Sequence, residues 1–173
     1  LWDGNNCMVR VIRGSSINST YLYDSSRRMV ESSLQGDVSH FTLDRYDCLI
    51  DTDISGATYA AYTNDISMPF NLLCEQRGAS RYYHGDSVGS IRQITNGIGT
   101  TSEVFNYSAF GSSLSSSGMV PLSFRFGGGS GFRYIQADYY SQGKWYDPII
   151  AIWKSLPYAF NSKQRRKYVV GLQ

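Results

Sequence analysis

A mixed α and β fold is what this chain predicts, on three observations. Short stretches alternate apolar and polar residues as half-buried strands do. Two other stretches space their apolar residues as helices do. Gly-, Ser- and Asn-rich text separates them in the manner of turns. At 173 residues the chain fits a single domain over residues 1–173, able to bury roughly two-thirds of its extended surface.

In chain order, Cys7 to Arg13 alternates as a strand, and Gly14-Ser15-Ser16 stops it, leaving Arg13 at the strand's end. Leu22, Met29, Val30 and Leu34 space as a short helix between Tyr21 and Leu34, capped by Asp24 or Ser25 and closed by Gly36. His40 to Leu43 and Tyr46 to Thr52 read as extended. Gly56 to Tyr62 reads as the start of a second helix with Ser55 as its cap. Ile66 to Cys74 is an apolar strand whose Pro69 suits an edge or bulge. Glu75 to Gly118 is weakly patterned, with only short strand-like pieces around Ile91 to Thr95 and Glu103 to Tyr107, and a connection of that length is usually functional or mobile. Met119 to Phe126 alternates strictly as a half-buried strand, the run Gly127 to Gly131 is a flexible loop, and Ile149 to Trp153 is the last strand. No internal repeat is legible in this reading.

Composition narrows the function. A net charge of +2 and a pI near 8.4 are too mild for a nucleic-acid footprint, which needs a clustered basic face. The concentrated tail Lys163 to Lys167 reads as a solvated arm. No apolar run approaches the ~20 residues that cross a bilayer. Low charge with many Tyr, Ser, Gly and Asn leans to secretion, and a start at Leu1 reads as a mature or trimmed terminus. The 3 cysteines, Cys7, Cys48 and Cys74, allow one disulfide and a leftover thiol, and lack the spacing of a zinc site. Asn18 and Asn106 open N-x-S/T acceptor triplets.

Most site signals fail on inspection. Asp51 to Gly56 begins like a calcium loop, but Tyr62 stands where a bidentate Glu is required. Gly97-Ile98-Gly99 lacks the third glycine of a dinucleotide fingerprint. His40 and His84 have no nucleophile at recognisable spacing. The amides of Gly127 to Gly131 suit an anion or simply a hairpin. Tyr139, Tyr140, Trp145 and Tyr146 suit sugar stacking or packing. The sharpest signal is Gln136 and Asp138. In an extended strand they share one face and set an amide beside a carboxylate.

Three motifs together resemble the pertussis and cholera type of ADP-ribosyltransferase toxin. Val11-Ile12-Arg13-Gly14-Ser15-Ser16 looks like the family's first strand, with its NAD-holding arginine at Arg13. Asp51-Thr52-Asp53 sits at the family's S-T-S position, a cofactor-side segment. Gln136-Ala137-Asp138-Tyr139-Tyr140 is similar to Q-x-E-Y-L, and Trp145 to Trp153 to the segment after it. The resemblance implies an α+β fold, two small, mostly antiparallel sheets forming a cleft, with short helices. It also implies NAD as cofactor if the protein is active, with Gln136 positioning the acceptor and Asp138 in the place of the catalytic glutamate.

The departures point away from efficient transfer. Asp138 keeps the charge that stabilises an oxocarbenium-like transition state but reaches one methylene less. A displacement of about 1 Å can cost roughly 10²-fold in rate. Asp51 and Asp53 replace serines and add charges that repel NAD phosphates. The expectation is a secreted toxin subunit or effector with weak or lost catalysis, acting through a host protein and possible partner subunit, with residues 75–118 as contact region. Its rival is a secreted β-rich adhesin or lectin built on the aromatic stretch Tyr139 to Tyr146. Each motif also has a plain reading: Arg13 as an exposed strand end, Asp51 and Asp53 as turn and cap residues, and Gln136 and Asp138 as the solvent face of an edge strand.

Overall fold

A recurring turn dictates the architecture. In it a side-chain oxygen accepts the amides two and four residues on, and the residue three on takes positive φ, closing a tight hairpin. Asp24 accepts from Ser26 and Arg28 at 2.9 Å each, with Arg27 at φ 63. Asp53 does the same for Ser55 and Ala57, with Gly56 at φ 84. Asp86 holds Val88 and Ser90, and Asn96 holds Ile98 and Thr100, with Gly89 and Gly99 at φ 80 and 83. Ser108 Oγ holds Ser112, with Gly111 at φ 89. A Cβ on Gly111 would meet the Phe126 ring at 2.5 Å, so that turn needs glycine for space as well as for φ.

The computed structural model describes residues 1–13, 16–67, 71–118 and 122–155, with backbone alone at 13, 16 and 17. The chain runs through β1 (Arg10–Arg13), β2 (Ser16–Tyr23), β3 (Met29–Leu34), β4 (Asp37–Asp44), β5 (Asp47–Asp53) and β6 (Thr58–Asn64), with turns of this kind between β2 and β3 and between β5 and β6. The meander continues through β7 (Leu72–Arg77), β8 (Ala79–Gly85), β9 (Ile91–Asn96), β10 (Thr101–Tyr107) and β11 (Ser113–Ser117). All belong to one 11-stranded antiparallel sheet in sequence order. A second, 4-stranded sheet follows: β12 (Arg133–Ile135), β13 (Asp138–Ser141), β14 (Lys144–Asp147) and β15 (Ile152–Trp153).

The α+β expectation is therefore corrected to an antiparallel β fold. Among the described residues there is no α-helix, only a 3-10 turn at Gly128–Ser130. The helix expected between Tyr21 and Leu34 is the end of β2, the Asp24 turn and β3; the one expected over Gly56 to Tyr62 is a turn and β6. The reason is a set of bulges. Val30, Leu49, Leu73, Arg92 and Leu114 each stand as an extra residue against the preceding strand. Each bulge shifts the pleat, so buried residues fall three apart: Met29 and Ser32, Cys48 and Asp51, Leu72 and Glu75, Ile91 and Ile94. That spacing imitates a helix.

The bulges also mark a repeat that the sequence reading missed. Turns begin at Asp24, Asp44, Asp65, Asp86 and Ser108, about 21 residues apart, one strand pair per unit. Residues 75–118, where only short strand-like pieces around Ile91 to Thr95 and Glu103 to Tyr107 are expected, hold four complete strands of the sheet, two of them at those pieces. In β10, Glu103, Phe105 and Tyr107 alternate inward. β11 has every residue exposed, a serine-rich edge. Pro69, Val120 and the basic tail Lys163 to Lys167 lie outside the described residues.

Two apolar clusters sit on the inner face. One joins Tyr62, Leu72, Tyr83, Ile91, Ile94, Phe105 and Tyr107 to Leu122 and Phe124 of the segment between the sheets. The other joins Met8, Tyr21, Met29 and Phe41 to Ile135, Tyr140 and Trp145 of the small sheet. Trp145 is 1% exposed, stands 4.7 Å from the Tyr21 ring, and donates Nε1–H to the Tyr23 hydroxyl at 3.1 Å. The Tyr140 hydroxyl accepts the Met29 amide at 2.9 Å and donates to the Arg27 carbonyl at 2.9 Å. The small sheet is thus docked on β2 and β3.

The disulfide expectation is corrected too. Cys7, Cys48 and Cys74 are all free. Cys7 precedes β1, Cys48 lies in β5 and Cys74 in β7, and Cys48 is engaged with Asp51 and Arg133 instead.

The turn aspartates give the fold an acid dependence. The Ser55 hydroxyl and then the Ala57 amide hold Asp53 below the usual aspartate range, and the Ser67 hydroxyl and amide do so for Asp65. At Asp86 burial pushes the carboxyl up, but the Arg92 guanidinium and the turn amides outweigh it and the net shift is downward. Depressed folded values stabilise the fold above the unfolded pKa, about 3.9, and that stability is lost as pH falls through them. Thermal unfolding followed by circular dichroism should show this contribution intact between about pH 7 and 5, with the midpoint dropping below about pH 4. A midpoint as high at about pH 3 as at neutrality would remove these turns as contributors.

Candidate functional site

The expected site residues fall in three separate places. Arg13 ends β1, paired through its backbone with Ser16, and its side chain is outside what the structure describes. Asp51, Thr52 and Asp53 close β5. Gln136 and Asp138 belong to the β12–β13 hairpin.

Gln136 and Asp138 do not share one strand face. Gln136 and Ala137, at φ 51 and 78, are the turn itself, and Asp138 opens β13 opposite Ile135. Such a pair of positive φ values is the hairpin type whose twist matches the strands. The residues expected to set an amide beside a carboxylate instead reverse the chain. Asp138 accepts Lys154 Nζ on both oxygens at 2.8 Å, and the same ammonium lies 3.0 Å from Asp147. Burial alone would lower the Lys154 pKa, but hydrogen bonds to Asp138 and Asp147 raise it. The ammonium fastens the start of β13 to the end of β14 and to the residue after β15.

Asp51 is the most committed carboxylate in the chain. It is 0% exposed, on the inner face because of the Leu49 bulge. Arg133 meets it end-on with both terminal nitrogens, Nη1 to Oδ2 at 3.0 Å and Nη2 to Oδ1 at 2.8 Å. The Tyr62 hydroxyl donates to Oδ2 at 2.8 Å and the Cys48 thiol to Oδ1 at 3.2 Å. The guanidinium lies 4.1 Å from the Phe41 ring centre and 5.0 Å from that of Phe124. Burial would pull Arg133 down, yet Asp51, Cys48 and Tyr62 hold its pKa well above the usual arginine range. Burial pushes the Cys48 thiol up to about 12 against the pull of Arg133, so it stays protonated and is not a nucleophile. Saturated on both oxygens, Asp51 joins the two sheets; it does not face a ligand.

Thr52 is half-buried opposite His40 and Thr58, and Asp53 is the turn cap already described. Three of the four aromatics that suited sugar stacking, Tyr139, Tyr140 and Trp145, are core. Among the described residues no group of His, Cys, Asp or Glu is placed to hold a metal ion, and no helix is long and apolar enough to cross a membrane.

Arg133 and Lys154, the partners that fix both carboxylates, were not singled out from the sequence. Arg133 follows the glycine run and precedes Tyr134-Ile135, the only basic residue in β12. A charged residue in an otherwise apolar strand calls for a buried partner. Around it opens a cleft between the inner face of the large sheet and residues 122–136, lined among others by Tyr59, Arg77, Ser123, Arg125, Arg133 and Gln136. It brings Gln136 near the Asp51–Arg133 pair, but not Asp53 or Asp138.

No protein-family model matches the chain. It is similar to a tRNA3(Ser)-specific nuclease WapA of Bacillus spizizenii, 22% identical over 164 residues, which is 90% of this chain and 7% of that protein. In fold it is similar to a chain of the Photorhabdus luminescens Tc holotoxin pore, with a TM-score of 0.66 and 14% identity, over 94% of this chain and 9% of that one. A TcdB2–TccC3 crystal structure matches with a TM-score of 0.64 and 14% identity, over 90% and 9%. The β-sheet fold is shared with stretches of Tc toxin components, and the chain spans less than a tenth of each relative's length.

Proposed function

We propose that this chain is a wall segment of a toxin-type polypeptide much longer than itself, with a structural task rather than a chemical one. The observation that supports the reading is the sheet. It is a single meander with edges at β1 and β11, and nearly all of it matches a short stretch of far longer toxin chains. An open edge presents unpaired amides and carbonyls, a template for another strand. The partner in this reading is a further strand, from flanking chain or from a partner subunit. Secretion or delivery with the larger polypeptide follows from the same reading.

The α+β fold on which ADP-ribosyl transfer rested is overturned, and Asp51, Asp53 and Asp138 are each engaged with partners of their own.

The β11 edge is the barer one, since the Leu1 backbone covers part of β1 through Arg10. Leu114, 69% exposed, is its bulge residue. Light scattering of the purified chain should show association rising with concentration, and Leu114→Lys should shift it toward monomer, because an edge lysine opposes strand addition. A chain that stays monomeric up to about 0.1 mM, with Leu114→Lys unchanged, would count against edge pairing.

A further inference from the structure

We propose that the cleft beside Arg125 binds a small organic oxyanion, a carboxylate or a phosphate ester with a flat apolar part. The cleft holds about 300 Å³, at the small end of ligand pockets. Its charge is unbalanced. Arg133 is answered by Asp51 in a two-point pair. Arg81 binds Glu75 at 2.7 Å, and Arg77 shares that same carboxylate at 3.5 Å. Arg125 meets aromatic rings, with its guanidinium 4.3 Å from the Tyr134 ring centre and 5.9 Å from that of Phe105. Among the described residues no carboxylate lies within ion-pair distance of it. Of the three arginines that line the cleft, Arg77, Arg125 and Arg133, Arg125 is thus the one without a carboxylate partner among the described residues.

The donors are also unsatisfied. Nε of Arg125 is buried without a hydrogen-bond acceptor, and Nε of Arg77 has only the long 3.5 Å contact to Glu75 Oε1. Buried donors left unpaired are costly, and their presence calls for an acceptor from elsewhere. A guanidinium fork fits the paired oxygens of a carboxylate or phosphate. Around the two arginines stand neutral polar groups suited to the remaining oxygens, Ser123 and Gln136. The Tyr62 hydroxyl, 3.3 Å from both Arg77 Nη2 and Ser123 Oγ, ties the two sides of the cleft together. Tyr59 lines the same wall as an aromatic surface, with the Arg77 guanidinium 5.1 Å from its ring centre.

The test is calorimetry in low-salt, phosphate-free buffer with three anionic probes, phenyl phosphate, benzoate and inorganic phosphate, and with benzamidine as a cationic control. Saturable 1:1 binding of phenyl phosphate or benzoate is expected, with inorganic phosphate weaker and benzamidine inert. The tighter of the two organic probes identifies the source as phosphate ester or carboxylate. Arg125→Gln should weaken binding at least about tenfold. Gln136→Glu, a surface-turn change that leaves the core intact, should weaken it by roughly the same factor through repulsion, and keeps the test valid if Arg125→Gln fails to fold. No saturable heat up to about 10 mM, equal binding of benzamidine, or affinity unchanged in the variants that fold would overturn the proposal.

Discussion

Asp51→Asn should cost the fold about 3–5 kcal/mol, the largest loss expected from any single polar change in this chain. The substitution keeps the shape and removes the charge that answers Arg133, whose side chain is 10% exposed and whose forked donors have no second carboxylate at hand. Urea unfolding should show the midpoint falling without a change of slope. The companion variant Asp51→Leu with Arg133→Met should recover most of that loss, since removing both charges removes the unpaired one. A loss under about 1 kcal/mol for Asp51→Asn would mean that water reaches the pair and that the two sheets are held by apolar contact alone.

Trp145→Ala should cost about 3–5 kcal/mol and, more informatively, should act unevenly. The indole fills the contact between β14 and β2, against Tyr21 and Tyr140, with its N–H on Tyr23. Without it the small sheet loses its seat, while Tyr62, Tyr83, Ile94 and Phe105 keep a core of their own. Hydrogen exchange should therefore quicken in β12 to β14 and stay slow in β7 to β10. Uniform quickening across both regions would show one cooperative unit instead of two.

How much of this was legible in the sequence depends on what each signal measures. Alternation was a partial guide: of the strand read over Cys7 to Arg13 only Arg10–Arg13 is strand, and the half-buried strand read over Met119 to Phe126 is, in its described part, an irregular segment with one bridge from Phe124 to Arg133. Where a bulge intervenes, as at Val30 after Met29, the buried residues fall three apart, and a helix was read in place of a hairpin. The turns were the better guide. Asp53 with Gly56, Asp86 with Gly89 and Asn96 with Gly99 repeat one internal spacing whose mechanism is local and which marks hairpin turns. The same Gly56 instead entered a calcium-loop comparison. The pairing of Asp51 with Arg133, separated by 82 residues, leaves no local trace. Nothing near either residue announces its partner, so Asp51 was open to reading as a turn or ligand residue. Gln136 and Asp138 looked alike on a strand because alternation cannot see that Gln136 and Ala137 have positive φ.

The ordering of the large sheet, each strand beside its sequence neighbours, carries a kinetic consequence. Closing each hairpin orders only a short loop, so the entropic barrier is met in small instalments and not in one long-range search. Strand pairs can form one after another as the chain becomes available, and a nucleus can arise at any of the strong turns. Arg133 reaching Asp51 is the opposite kind of event, a distant contact that closes only when the meander already exists to receive it. It is therefore the latch of the folding process, set last, and its loss should speed unfolding far more than it slows folding.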